Sequence, residues 1–272
     1  MTYIYIIINQ QKSIMKKITI VLSTLAIVAS LSSCKKDTTT PTPPANNPPT
    51  VTTPSDAFGA LLSIDLLTSF TTPAYPGVPS LNVDYNIGTA SAIFTISAGA
   101  TTFQDAGTVI CNDSTLTKAS NNGYIFSPNA VAAGSNIGLD NSVSQFNWSV
   151  SGSAAVTSFN FSHTGTLPTI GSITSATSIP TNAAYTLAVS STSFNADSII
   201  WIMAGPNKNV QHVTAPGVTS STFTAAEVAS LGTGDNLGLL QVAPYRIVPF
   251  TKNGKQYYFV KERCVTKSVS LK

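Results

Sequence analysis

The sequence predicts an all-β body, built as two tandem β-sandwich domains behind an N-terminal leader and a tether. Three observations lead to this prediction. Apolar and polar residues alternate with a period of two, short apolar runs end at turn residues, and turn signals recur about every 8–14 residues. This spacing is typical of β-sandwiches. The predicted boundary separates residues 57–167 from residues 168–272, and one larger sandwich is the alternative.

Composition excludes several classes of protein. The chain has 272 residues, of which 43% are hydrophobic and only 9% are charged, and Ser and Thr together account for 70 positions. A coiled coil needs heptads rich in Glu and Lys, and a charged disordered chain needs far fewer apolar residues. The formal net charge is +3 without clustered Lys and Arg, so we expect no nucleic-acid partner.

Charge is distributed unevenly along the chain. Residues 55–240 carry two Lys against nine carboxylates, whereas residues 241–272 carry seven Lys or Arg against Glu262. We interpret this asymmetry as two regions that neutralise each other. A basic docking patch is the alternative.

The N-terminal segment has the pattern of an export signal. Met15-Lys16-Lys17 is a short basic start, and 18–30 is an apolar run that is too short for a membrane-spanning helix, which needs ~20 residues. Leu31-Ser32-Ser33-Cys34 follows. With this lipobox the segment resembles the leader of a bacterial lipoprotein precursor. An ordinary cleaved signal that ends near a Cys is the alternative.

The resemblance implies that residues 1–33 are removed and that Cys34 becomes the lipidated N-terminus. A diacylglyceryl group on its sulfur and a third chain on its amine would hold the protein firmly, since each buried methylene contributes ~0.8 kcal/mol. Lys35-Lys36-Asp37 is similar to the export tags of surface lipoproteins in some Gram-negative bacteria. We therefore expect a lipid anchor in the outer membrane, with the body facing the cell surface or the periplasm.

Residues 34–56 are predicted to be a disordered tether. The segment 35–56 has six Pro, seven Thr and almost no apolar side chains, so burial cannot offset the entropy of ordering it. Pro-rich chains favour an extended conformation at ~3.1 Å per residue, which gives the tether a reach of up to roughly 60 Å.

Local patterns in the body predict particular elements. Residues 146–151 alternate without a break and predict a half-buried strand, and residues 198–203 form an apolar run suited to the middle of a sandwich. Asn253-Gly254 predicts a type I′ hairpin, and Thr224 with Glu227 predicts a capping box at the start of a helical turn. A helical turn between late strands, together with Trp201 in a predicted third strand, resembles immunoglobulin-like domains.

Residues able to do chemistry are few. The two histidines, His163 and His212, have no neighbouring Cys, Glu or second His at ligand spacing, and we interpret each as a polar residue of the surface or of an edge strand. A metal ligand or general base is the alternative. No zinc motif or nucleophile elbow occurs in the sequence. We therefore predict no cofactor, no metal and no catalytic residue.

Two cysteines, Cys111 and Cys264, remain beside the predicted lipidation site. Both lie in apolar strand segments, where a thiol behaves as a small hydrophobic group, so two free buried thiols are favoured. A disulfide between them is the alternative, since export permits one.

Aromatic residues near the C-terminus provide the predicted binding site. Tyr257 and Tyr258 are adjacent in one strand and point to opposite faces, so we expect one of them to be exposed. With Tyr245 and Arg246 they form the predicted ligand-binding group, whereas Trp148 is expected in the core, as is Trp201.

These observations favour a non-enzymatic binding or adhesion module on the cell envelope. The expected partner is a glycan or an outer-membrane protein, in addition to the membrane itself. A hydrolase of polysaccharide or ester substrates and a structural spacer are the alternatives.

Overall fold

In a computed structural model of the protein, five ranges are described: residues 54–71, 82–126, 137–139, 143–192 and 195–272. The predicted signal peptide, Cys34 and the tether before Pro54 lie outside these described residues.

The described part of the chain consists of β-strands and one short helix, which confirms the predicted all-β class. No helix in this part of the chain has the length and the apolar composition needed to cross a bilayer. In chain order the elements are β1 (Ala57–Thr71), β2 (Asn82–Phe94), β3 (Val109–Cys111), β4 (Ser114–Thr115), β5 (Thr117–Lys118), β6 (Tyr124–Phe126), β7 (Ile137–Gly138), β8 (Gln145–Val150), β9 (Phe159–Thr164), β10 (Ser178–Ile179), β11 (Tyr185–Ala188), β12 (Ser198–Ala204), β13 (Asn209–Thr214), β14 (Ser220–Phe223), α1 (Ala225–Ala229), β15 (Gly234–Lys252) and β16 (Lys255–Leu271).

The strands form one large sheet and two small ones. The large sheet has ten strands in the order β13-β12-β15-β16-β1-β2-β6-β5, with β10 beside β16 and β7 beside β2. Strand β16 pairs antiparallel with β15 and parallel with β1, which in turn pairs antiparallel with β2. The small sheets are β11-β14 and β4-β3-β8-β9.

Local sequence signals determine how the longest hairpin and the helix are made. Asn253 and Gly254 have φ angles of 52° and 71°, so the predicted two-residue turn between β15 and β16 is confirmed. The predicted capping box is also confirmed, because the Thr224 side chain accepts from the Glu227 N–H and the Glu227 side chain accepts from the Thr224 N–H.

The four-stranded sheet packs on one face of the large sheet, which we call the inner face. Between them lies a hydrophobic cluster, the first core, in which Phe259 contacts Phe146 and Trp148 at centroid distances of 5.4 and 6.3 Å. The alternating burial of β8 places its apolar residues in this core, as the sequence predicts.

The β11-β14 sheet packs on another part of the inner face. Here the second core forms between Leu187 and Phe223 of the small sheet and Trp201, Val242 and Val265 of the large one. Helix α1 contributes Val228 to the same core. Trp148 and Trp201 are 2% and 0% exposed, so the prediction that both tryptophans are core residues is confirmed.

The hairpin β15–β16 runs through both cores. Phe259 belongs to the first core, whereas Val265 and Val269 belong to the second, although all three lie on the same face of β16. The two cores therefore divide near the predicted boundary at 167/168, but the large sheet takes strands from both sides of it. The assignment of two domains stays a prediction.

Basic residues of β16 hold the chain where it passes from the first core to the second. The Lys261 ammonium donates to the carbonyls of Gly165 and Thr166 at 3.1 and 3.0 Å. Two ion pairs also join the acid-rich and the basic regions of the sequence: Arg263 with Asp65, and Lys272 with Asp235. These contacts support the interpretation of the charge asymmetry as mutual neutralisation.

We predict that the shared hairpin makes the two cores unfold together. The chain has two tryptophans, one in each core, so the variants Trp148→Phe and Trp201→Phe each leave a reporter of one core. In both backgrounds, Phe259→Ala should lower the free energy of unfolding by about 3–5 kcal/mol, because it leaves a cavity in the first core. The measurement is urea denaturation followed by tryptophan fluorescence.

The matched control is Lys252→Ala at the tip of the same hairpin, which should change the free energy of unfolding by less than about 0.5 kcal/mol. A loss of stability reported by Trp148 and not by Trp201 would contradict the prediction and would indicate two independent domains.

Candidate functional site

The four predicted ligand-binding residues lie on both faces of the β15–β16 hairpin. Tyr257 is 2% exposed and packs in the first core, with ring centroids 4.9 Å from Phe159 and 5.6 Å from Phe250. Tyr245 is 8% exposed and lies on the opposite face, which we call the outer face. Of the other two residues, Arg246 is exposed and Tyr258 is half-buried. The role of all four in binding stays a prediction.

Tyr258 fixes the start of the body to the last strand. Its hydroxyl donates to Asp56 Oδ1 at 2.7 Å, which joins residues 202 positions apart in the sequence. This hydrogen bond, with smaller contributions from burial and from the Asp56 charge, raises the pKa of Tyr258 to about 12. Of the two adjacent tyrosines, Tyr258 is the more accessible: it is half-buried, whereas Tyr257 is buried.

Both remaining cysteines are free and buried, and the alternative of a disulfide between them is not formed. Cys111 lies on β3, with its sulfur 3.8 Å from Ser63 Oγ, and burial raises its pKa to about 12. Cys264 lies on β16, and burial together with the charges of Glu262 and Asp65 raises its pKa well above the ordinary value. Neither thiol is an accessible nucleophile, because the reactive form is the thiolate.

Glu262 is a buried acid on the outer face. It is 5% exposed, and its Oε1 has no hydrogen-bond partner among the described residues. Burial raises the pKa of this carboxyl to about 7. Tyr245 lies opposite Glu262 on β15, and Cys264 lies two residues further along the same strand.

The second histidine forms a hydrogen-bonded chain with a serine and a glutamate. His212 Nδ1 lies 2.9 Å from Ser221 Oγ, and its Nε2 lies 2.9 Å from Glu227 Oε1. The ring stacks on Phe223 with a centroid distance of 4.1 Å. Burial by itself would raise the pKa of Glu227, but hydrogen bonds from His212 and Thr224 outweigh it, so the net pKa is lowered.

Sequence reasoning missed this constellation. His212 lies on β13 at the end of the large sheet, Ser221 on β14 of a small sheet, and Glu227 on α1. The capping box correctly assigned Glu227 to the helix start but gave no sign that its other oxygen contacts His212. The sequence signal for this contact was proximity along the chain: Ser221 follows His212 by nine residues, and Glu227 follows Ser221 by six.

The inner face carries a strip of charged residues between the two cores, which we call the seam. It consists of Asp65, Arg246, Lys261 and Arg263, where Arg263 Nη2 lies 2.7 Å from Asp65 Oδ2. Arg246 pairs with Lys261 across the hairpin, is exposed, and donates from Nη1 to Asn195 Oδ1.

The other histidine lies over the seam. His163 of β9 contacts Phe259 edge to face at a centroid distance of 5.7 Å. Burial, followed by the positive charges of Lys261 and Arg246, lowers the pKa of His163. Three cationic or ionisable side chains, His163, Arg246 and Lys261, are therefore close enough to repel one another at this point.

Gly165 lies next to the seam, directly after β9. It has φ of 124°, and a side-chain carbon at this residue would lie 3.2 Å from Lys261 Nζ, closer than such a carbon ordinarily comes to another atom. The positive φ and the close approach of Lys261 both favour glycine at this position.

Among the described residues, no group of three or more His, Cys, Asp or Glu side chains is arranged to hold a metal ion.

Comparisons with known proteins give little further information. No family model matches the chain, and no characterised protein matches it. One solved structure, from a study of the host cell surface retention of a 1.5-MDa bacterial ice-binding adhesin, aligns with 10% identity and a TM-score of 0.22. The alignment covers 76% of this chain and 65% of that chain, and a TM-score this low carries no argument about function.

We predict that Glu262 makes the folded protein less stable as the pH rises. Its folded pKa of about 7 lies above the ordinary value of 4.5, so the folded state holds this proton more tightly than the unfolded state. Its contribution to stability is therefore complete below about pH 4.5 and is lost as the pH rises through about 7. Relative to Glu262→Gln, the wild type should lose stability over this interval, measured by urea midpoints.

The control is Glu227→Gln. The pKa of Glu227 is lowered, so its contribution is present at neutral pH and is lost as the pH falls below about 4.5, which is the opposite sign. Equal pH profiles for the wild type and Glu262→Gln would contradict the prediction.

Proposed function

We propose that the protein is a lipid-anchored module of the bacterial cell envelope that binds a glycan or a protein partner and catalyses no reaction. The observation that carries the proposal is the order of three segments in the sequence: a lipobox leader ending at Cys34, a tether rich in Pro and Thr, and an all-β body. This order holds a folded body at a distance from the membrane surface, where a binding surface can reach its partner.

The body supports this proposal by the way it uses its reactive side chains. Both ring nitrogens of His212 are engaged, by Ser221 and Glu227, and the Glu227 carboxylate also accepts two hydrogen bonds from Thr224. A general base needs a ring nitrogen within reach of a substrate proton. These contacts connect the edge strand β13 to β14 and α1, which is a structural use of the histidine.

We predict that Cys34→Ser releases the protein from the membrane. Without the thiol no diacylglyceryl group is attached, and the energy of burying the acyl chains is lost. The native protein should be found in the outer-membrane fraction, and mass spectrometry should detect an acylated N-terminal Cys34 peptide. Cys111→Ser is the control and should remain in the membrane fraction.

An unmodified leader peptide on the native protein would contradict the anchor. The partner is identified separately, by a pull-down of the tethered body from solubilised outer membranes, with specific enrichment of a glycan or a membrane protein as the expected result.

A hydrolase is the second candidate, and one observation favours it. If Glu227 accepts a hydrogen bond from Nε2–H of His212, then Nδ1 is left to accept the Ser221 hydroxyl proton, which is the order of roles in a serine triad. Ser221 is only 8% exposed, however, and its side chain lies on the same face of β14 as Phe223, toward the second core. This burial is why we place the hydrolase second.

We predict that a fluorophosphonate probe does not label Ser221. The probe reports activated serines, and a buried hydroxyl used within the fold should not react with it. The measurement is intact-mass and peptide mass spectrometry after incubation with the probe. Labelling of Ser221 that disappears in His212→Gln, a variant shown to remain folded, would contradict the binding proposal and would establish the triad.

A further inference from the structure

We propose that the open edge of β13 binds an extended segment of a protein partner, which adds to the large sheet as a further strand. This inference rests on the proposed binding function and names the class of the partner, a polypeptide in place of a glycan. It uses none of the four ligand-binding residues predicted from the sequence.

The first argument is the unpaired ladder of β13 (Asn209–Thr214). This strand lies at one end of the ten-stranded sheet and pairs with β12 without a register shift. Alternate residues of a strand direct their N–H and C=O groups to opposite sides, so half of the residues of β13 direct them away from β12. Among the described residues, no backbone group beyond β12 bonds to β13. An extended polypeptide supplies donors and acceptors at the spacing that this edge requires.

The second argument is that this edge lacks the features that normally prevent strand addition. Exposed edges are usually very short, or they carry Lys or Pro. At the other end of the same sheet, β5 has two residues, and one of them is Lys118, which pairs with Asp105 at 2.8 Å. Strand β13 has six residues without Lys, Arg, Asp, Glu or Pro, and Asn209 and Gln211 are exposed. Of these two strands, β13 is therefore the one that can accept a partner along its length.

The third argument is that β13 is held in place by its side chains. His212 is hydrogen-bonded to Ser221 and Glu227, in both cases at 2.9 Å. Thr214 accepts a hydrogen bond from Trp201 Nε1 at 2.9 Å. These contacts leave the outward backbone groups of the strand unused. Because the edge is already formed, the entropy cost of ordering falls on the partner segment alone.

The size of the edge favours a flexible segment over a second copy of this chain. Six residues of strand are about 20 Å long and a sheet is about 10 Å thick, so two rigid edges would cover roughly 200 Å² on each side. A stable dimer needs about 800 Å² per subunit. A flexible segment can also lay its side chains over the neighbouring strands, so its contact is not restricted to the edge.

The experiment starts with a selection of random octapeptides, displayed on phage, against the full-length protein purified from its host. The tightest binder is synthesised in three forms: unmodified, N-methylated at the odd residues, and N-methylated at the even residues. Alternate residues of an added strand face the protein, so one methylated form should lose at least about tenfold in affinity and the other should keep it.

Hydrogen exchange with mass spectrometry then locates the bound peptide. The unmodified peptide should slow the exchange of backbone amides in residues 207–216, which contain β13. It should leave residues 115–121 unchanged, because they contain β5 at the other end of the sheet.

Two proline variants, Val210→Pro and Gln211→Pro, form a matched pair. Adjacent residues direct their N–H groups to opposite sides, so one variant loses an N–H of the open edge and the other loses a bond to β12. The first should unfold at nearly the wild-type temperature, since proline is tolerated where the N–H faces solvent, and should bind the peptide at least about tenfold more weakly. The second should be less stable, and thermal denaturation therefore identifies which variant is which.

Four results would overturn the proposal: no binder from the selection, equal affinities of the two methylated forms, protection outside residues 207–216, or undiminished binding by the open-edge proline variant. A dimer in analytical ultracentrifugation, with β13 protected in the absence of peptide, would also overturn it and would assign the edge to a second copy. Failure of strand binding together with capture of a glycan in the pull-down would leave the proposed function intact, so the two failures are distinguishable.

Discussion

The structure depends on the hydrogen-bonded ladder that β16 forms with β15 on one side and β1 on the other. A two-stranded hairpin is only marginally stable in water, and here the third strand and the two small sheets provide the packing it needs. Because one face of β16 carries first Phe259 and then Val265 and Val269, a single strand contributes to both hydrophobic cores. Each small sheet then covers its own part of the inner face.

Charged side chains separate the two cores, and this has a physical cost that the structure offsets locally. Asp65 is 3% exposed but lies against Arg263, and Lys261 is 2% exposed but donates to two backbone carbonyls. These two buried charges therefore both have partners, as burial requires. The hydrogen bonds of Lys261 also hold Gly165 and Thr166, where the chain passes from the first core to the second, against the large sheet. The seam therefore positions this part of the chain as well as separating the two cores.

Much of the fold follows from short-range patterns in the sequence. Alternation in 146–151 predicts β8, Asn253-Gly254 predicts the central hairpin, and Thr224 with Glu227 predicts the start of α1. Each signal concerns residues that interact within a few positions. The parallel pairing of β1 with β16 could not be predicted in this way, since it joins residues about two hundred positions apart and has no turn to specify its register.

The candidate site was less predictable for the same reason. Period-two alternation correctly separates Tyr257 from Tyr258, but it does not show that Phe159 and Phe250 cover the first while Asp56 holds the second. The seam brings the Lys261 ammonium to within 3.1 Å of the Gly165 carbonyl, 96 positions away in the sequence, and this close approach is favoured because residue 165 has no side chain. Only the packing of β9 over the hairpin creates that arrangement.

The position of β1 has a mechanical consequence. The chain enters the body at Pro54 and passes directly into β1, which is bonded along its length to β2 and β16. A pull transmitted through the preceding segment acts along the axis of this strand, so the ladder bonds on both sides share the load and must shear together. A strand at the edge of the sheet would be peeled away one bond at a time. The start of the body is therefore held by both neighbouring strands against extraction along its axis.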